Sequence, residues 1–178
     1  HVETLDHGQF GVSPERGFLP DAEPLASLGA AAHPRLRRLD AVGDDLPTLL
    51  DDDRLRPTVR NLEPPPPGVF DDLSRRELYR VYTVAGFLAN AYVHGADAPP
   101  KDAIPAGVAV PLYEATDRLD RTPVLSYDAY VLHNWTRENP DRKMGPTNVV
   151  PLTRFVDVQD ERWFVAVHVA IESAAGPA

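Results

Sequence analysis

The segment NLEPPPPGVF, residues 61–70, restricts the fold of this chain more than any other. Four successive prolines lack the amide protons and the φ freedom that a helix interior or an inner strand requires. The segment is therefore a stiff connector, and the core must be built from what lies on either side of it. The same punctuation recurs along the chain. There are 19 prolines in 178 residues, about twice ordinary usage, and they fall mainly between stretches with helical spacing of apolar residues.

The best-signalled helix follows the connector, in LSRRELYRVYTVAGFLANAYVHG. Ser74 suits the N-cap and Glu77 the third helical position, a capping box, with Leu73 and Leu78 in staple positions. Gly95 is the stop, with His94 in the last turn. Leu78, Val81, Tyr82, Ala85, Ala89 and Tyr92 form one stripe, and small Ala85, Gly86 and Ala89 admit a close neighbour. Upstream, RLRRLDAVGDDLPTLL places Leu36, Leu39, Leu46, Leu49 and Leu50 at helical spacing. Gly43 and Pro47 divide it into one short helix and part of a second. Residues 1–34 read as an extended arm pinned by Phe18 and Leu19.

Beyond Gly95, ADAPPKDAIPAGVAVP reads as a loop and LYEATDRL as a short helix. RTPVLSYDAYVLHNWTRENP reads as a helix with Thr122 at the N-cap and Pro123 at its first position. Tyr127, Tyr130 and Val131 then share a face. DRKMGPTNVVPLTRF is loop, and Asp157 caps a final helix with Asp160 and Glu161 in its first turn, where they suit the dipole. No segment alternates, and no turn signal pairs two strands. The expected fold class is all-α with long proline-rich connections.

The net charge is -9 and there is no cysteine. The acidic balance argues against nucleic acid and anionic membranes as partners. No apolar run reaches the ~20 residues of a membrane span. The lack of cysteine excludes disulfides and thiolate-ligated metals, which fits a cytoplasmic protein. Nucleotide-binding glycine motifs and the serine-hydrolase motif are missing from the sequence. The acidic run Asp51–Asp53 reads as a solvated turn.

One residue stands out. The stretch WFVAVHVAI, from Trp163 to Ile171, is apolar except for His168. Phe164, Val167, His168, Ile171 and Ala175 share one helical face, and the opposite side is apolar too, which reads as a central helix. An imidazole buried there without a partner costs about 1–3 kcal/mol. His168 is therefore either a core histidine bonded to a main-chain carbonyl or to a tyrosine such as Tyr127, or a catalytic or ligand-contacting group. His168 and Glu172 stand four apart, a spacing that suits two metal ligands, yet no motif supplies the third that a catalytic zinc needs. The aromatic set Tyr127, Tyr130, Trp135, Trp163 and Phe164 is either plain core or the wall of a cofactor site.

Several blocks resemble the indoleamine 2,3-dioxygenase family, over about Leu62 to Ala178 and at an N-terminal motif. The latter is GFLP at 17–20. The others are ELYRVYTVAGFLANAYVHG, then IPAGVAVPLYEATDRLDRTPVLSYDAYVLHNW, then NVVPLTRF followed by DERWFVAVHVAIESAA. The resemblance implies a two-domain all-α heme protein. Residues 1–121 would form the N-terminal arm and small helical domain, and residues 122–178 the beginning of the large helical heme domain. It implies heme b as cofactor, and an indole or other aromatic small molecule with O2 as substrates. The product would be of the N-formylkynurenine type, from opening of the pyrrole ring of tryptophan or a tryptophan-like compound. By position Tyr127, Tyr130, Val131 and Phe164 would line the pocket on the distal side of the heme, with His168 as the catalytic residue.

Two departures from the family pattern bear on this expectation. The position of His168 is usually a serine in the animal enzymes. A histidine there is similar to the distal base of tryptophan 2,3-dioxygenase, able to accept a hydrogen bond from an indole N–H. The proximal iron ligand, for its part, is expected outside this chain, on a helical half carried by the same or another polypeptide. Two other readings stay open. One is a related heme enzyme that inserts a single oxygen atom or uses peroxide on an aromatic metabolite in a biosynthetic pathway. The other is a heme- or partner-binding helical module without activity.

Overall fold

The computed structural model describes residue 13 and residues 16–66, 68–95 and 99–176. Helix α4, Arg75–His94, is its axis. Both halves of the Ser74 capping box form: the Glu77 amide donates to the Ser74 hydroxyl (3.3 Å) and the Ser74 amide to the Glu77 carboxylate (2.9 Å). The helix ends at Gly95, whose φ of +45° suits a residue without Cβ. Almost every side chain from Leu78 to Tyr92 is buried, because other segments cover α4 all round.

Those segments are α1, Pro34–Asp44; α3, Leu55–Arg60; α5, Ala106–Leu119; and the turn Asp128–Leu132, while α2, Leu46–Asp51, packs between α1 and α3. The division of residues 35–50 into two helices is as expected, but Gly43 does not cause it. Helix α1 runs through Gly43, and a Cβ there would meet the Val84 side chain at 2.6 Å. The glycine is an approach point between α1 and α4. Pro47 sits in the first turn of α2, where its missing amide costs nothing. Helix α3, unforeseen in the sequence, is tied to the end of α4 by Arg56, which donates to the Tyr92 carbonyl at 3.1 Å.

Three expectations are corrected. Helix α5 begins at Ala106, not at Leu112, and runs through Pro111. Burial of Val108, Pro111, Leu112 and Ala115 outweighs the amide that proline removes. Residues 122–140 do not form one helix. They hold a single wide turn, Asp128–Leu132, followed by strand β1, Trp135–Arg137. Strand β1 pairs antiparallel with β2, Val149–Pro151, in the register Thr136 opposite Val150. This ribbon and an isolated antiparallel bridge between Ser13 and Gly17 are the departures from an otherwise all-α fold among the described residues. Finally, the last helix, α6, Gln159–Ala175, starts after Val158, with Asp157 bonded to Arg154 instead of capping it.

The buried apolar residues fall into two clusters. The larger joins α1 to α5 around Tyr82, Phe87 and Leu88. The smaller gathers Leu19, Val131, Trp135, Val149, Val165, Ala166 and Val169 between the ribbon and α6. The arm is thus pinned by Leu19, whereas Phe18 is exposed. Tyr130 packs against both clusters. An ion network centred on the buried Arg80 and Asp40 reaches the surface at Asp44. The Arg80 guanidinium donates to Asp40 at 2.6 Å, to Asp44 at 2.7 Å and to the Thr153 hydroxyl at 3.1 Å. Asp40 also accepts the Leu28 amide at 2.7 Å.

Candidate functional site: an open aromatic shelf beside His168

The site begins at the wide turn. The Tyr130 amide reaches back four residues to the Ser126 carbonyl (2.8 Å), but the His133 amide reaches back five, to Asp128 (3.0 Å). Just beyond, the buried Asn134 side chain fastens the turn to the strand-side loop. Its amide group donates to the carbonyls of Tyr130 (3.0 Å) and Thr153 (2.7 Å), and its oxygen accepts the Thr153 amide at 2.7 Å. Trp135 is fully buried and donates its indole N–H to Leu132. The turn is therefore anchored from behind and presents its tyrosines forward.

Both phenols are held by glutamates of α6. Tyr127 donates to Glu172 at 3.0 Å, and Tyr130 to Glu161 at 2.8 Å. Glu161 is buried and also accepts the Phe155 and Val156 amides, at 3.0 and 2.8 Å. Burial, then the bond to Glu172 and its charge, push the Tyr127 phenol up to about 12. Burial and Glu161 act the same way on Tyr130, which also titrates above the ordinary tyrosine range. Neither hydroxyl has its proton free for an incoming molecule, so the tyrosines offer mainly ring surface.

That surface lines an open cavity of about 350 Å³ bounded by Leu125, Ser126, Tyr127, Tyr130 and Phe164. No lining residue carries a charge. The Phe164 ring meets Tyr130 edge-on, centroids 5.6 Å apart. His168 lies alongside, 4.3 Å from the Phe164 ring and 5.9 Å edge-on from Tyr127. Its Nδ1 is 2.7 Å from the Phe164 carbonyl oxygen. A carbonyl only accepts, so Nδ1 carries the proton of this contact and Nε2 is the ring nitrogen it leaves over.

The structure thus gathers His168, Tyr127, Tyr130 and Phe164 at one edge of α6. It does not bring Val131 there: that side chain is fully buried in the smaller cluster, behind the shelf. Within the described residues α6 is enclosed on one side only. Its buried side is Glu161, Val165, Ala166 and Val169, while Trp163, Phe164 and Ile171 are exposed and His168 is half-buried. An apolar stripe on each side of a helix needs two neighbours, and the described residues supply one. Helix α4 is the enclosed helix instead. Glu172 turns to Tyr127, and among the described residues no group of three acidic or histidine side chains converges on a metal position. Sequence reasoning did not foresee Asn134, Glu161 as a phenol acceptor, or the clustering of Asp128 with His133. No described helix is long and apolar enough to cross a membrane.

Comparison with known proteins gives this arrangement a context. A family model described as indoleamine 2,3-dioxygenase matches residues 6–178. Indoleamine 2,3-dioxygenase of Saccharomyces cerevisiae is 31% identical over 92% of this chain, which covers 37% of that protein. Indoleamine 2,3-dioxygenase 1 of Mus musculus is 32% identical over 94% of the chain and 43% of the relative. A relative of the same name from Penicillium citrinum is 28% identical over 99% of the chain and 39% of its own length. The chain therefore spans about two fifths of the length of these relatives. It belongs to the indoleamine 2,3-dioxygenase family.

Proposed function

We propose that this chain forms the distal wall of a heme-dependent dioxygenase that opens the pyrrole ring of tryptophan or a tryptophan-like indole. The observation that carries the reading is the uncharged aromatic shelf with His168 beside it, whose Nε2 has no hydrogen-bond partner among the described residues. The relatives' names supply the reaction class. A flat, apolar macrocycle suits the shelf, because every lining group is hydrocarbon, aromatic or a small hydroxyl, and both phenols are tied off. When bound, heme b supplies the redox iron at which O2 is activated.

The chain's own residues have three tasks in this reading. Tyr127, Tyr130 and Phe164 hold the plane of the indole by edge and face contacts and exclude water from it. Val131 backs the shelf from the core. His168 accepts the indole N–H at Nε2, its tautomer fixed by the Nδ1–H bond to Phe164. A positioned acceptor of this kind contributes roughly 10²–10⁴-fold. Residues 122–178 form the start of the large domain in this reading; they supply every buried residue of the smaller apolar cluster but Leu19, while Ala129 joins the larger. The exposed side of α6 packs against the remaining helical half, which bears the proximal ligand on the same or another chain.

The mass of the product tests the reaction class. The complete protein, given tryptophan or a substituted tryptophan, O2 and a reductant, is expected to yield a product two oxygen atoms heavier. A gain of one atom, or turnover with peroxide alone, would assign the site to mono-oxygenation of an aromatic metabolite.

A further inference from the structure

The turn that carries Tyr127 and Tyr130 has an unusual register, and nothing in the proposed chemistry accounts for it. Turns closed by bonds to the fifth residue are rare, single-turn features. Residues 127–132 contain no glycine or proline to impose one. A pair of side chains does span the same interval, however. His133 Nε2 stands 3.3 Å from Asp128 Oδ1, five residues apart, just where the His133 amide bonds the Asp128 carbonyl. In an ordinary α-helix residues five apart are rotated about 140° around the axis and cannot face each other. The pair can close only in the wider winding.

The pair is also fixed to its surroundings. Arg121 Nε donates to the other Asp128 oxygen at 2.7 Å, and Arg121 Nη2 to the Tyr79 hydroxyl at 3.3 Å. The His133 ring lies flat on the Tyr79 ring of α4, 3.4 Å between centroids and 8° from parallel. The Arg75 guanidinium lies 5.3 Å from the centre of the Tyr79 ring. The His133 and Asp128 side chains are both largely buried. Burial works to raise the Asp128 acid, but hydrogen bonds from His133 and Arg121, with their charges, outweigh it and hold the carboxyl below its usual range.

We infer that Asp128 and His133 are positioning residues: they set the five-residue register of the wide turn, and through it the placement of Tyr127 and Tyr130 on the shelf. The inference rests on the proposed function for its meaning, since the shelf is that function's wall. Its test needs neither heme nor substrate, so the two stand or fall separately.

The test compares the full chain with its His133→Phe and Asp128→Ala variants by nuclear magnetic resonance, using tyrosine ring labels and amide exchange. His133→Phe keeps a flat ring on Tyr79 and removes Nε2. The expected result is that the residue-133 amide exchanges at least tenfold faster and the Tyr127 and Tyr130 ring signals move. The α4 amides and the remote, exposed Tyr113 should stay as they were. Asp128→Asn, which keeps an oxygen for Arg121 and offers an amide N–H to His133 Nε2 once that ring carries its proton on Nδ1, should restore most of the native signals. Unchanged Tyr127 and Tyr130 signals in folded His133→Phe would overturn the inference. So would equal loss of protection throughout α4, or failure of all three variants to fold, since either assigns the cluster to general stability.

Discussion

His168 shows how a single ring can satisfy two readings of a sequence. It does bond a main-chain carbonyl, that of Phe164, one turn back in its own helix. Yet it lies on the open side of α6 and not between helices, and the bond uses only Nδ1. The tyrosines beside it are occupied in the opposite sense, donating their protons to Glu172 and Glu161. This has a measurable consequence. Burial, then the bond to Glu172 and its charge, push the Tyr127 phenol up to about 12, so Tyr127 is expected to titrate late in an ultraviolet pH titration. Glu172→Gln should bring that step down toward the ordinary value of about 10. The sign follows from linkage: a raised phenol contributes stability fully below pH ~10 and loses it as pH climbs through its folded value. If the late step persists in Glu172→Gln and vanishes only in an unrelated tyrosine variant, the bond to Glu172 is not its cause. At Arg80, removal of Asp40 by Asp40→Ala would leave a buried guanidinium short of its main partner. Urea unfolding should register a loss of about 3–5 kcal/mol.

Among the elements, the glycines and the caps carry the sharpest expectations. Gly107, in the first turn of α5, stands so close to the α3–α4 connection that a Cβ would lie 2.2 Å from the Leu62 carbonyl oxygen. Gly107→Ala must push the two apart, and a melting experiment should show destabilisation of about 1–3 kcal/mol. Ser74→Ala, by contrast, should cost about 1 kcal/mol, the ordinary worth of a capping side chain. A Gly107→Ala protein as stable as the parent would contradict the close approach of α5 to Leu62. Helix α4 was legible in the sequence to the residue at both ends, because its capping box, its apolar stripe and its terminal glycine agree. Helix α5 and the wide turn were not. Pro111 signals a break that tertiary burial overrides, and Pro123 signals a helix start that the chain does not use. The turn's own cause, a side-chain pair five residues apart, matches no helical template. The ribbon escaped because three-residue strands are too short to show alternation.

For the molecule as a whole, the two clusters of buried residues and the open side of α6 describe a wall with one finished face. The finished face is the core of α1 to α5 and the ribbon behind the shelf. The other face shows Trp163, Phe164 and Ile171, and apolar groups exposed together mark a surface made for contact. The family resemblance placed Tyr127, Tyr130, Val131 and Phe164 with His168; the structure brings these together except Val131, which is buried behind them. Their hydrogen-bond partners did not follow, since Glu161 and Glu172 read from sequence as a first-turn charge and a possible metal ligand. If the shelf is the distal wall, His168→Ala in the complete protein should lower turnover of tryptophan by roughly 10²–10⁴-fold while leaving heme content unchanged. Unaltered turnover would remove the histidine from the reaction. The most direct test is the visible absorption spectrum of the complete protein, recorded with and without L-tryptophan. The account predicts a heme Soret band that shifts when the indole is added. A protein with no Soret band, or a band indifferent to tryptophan and to substituted tryptophans, would contradict it.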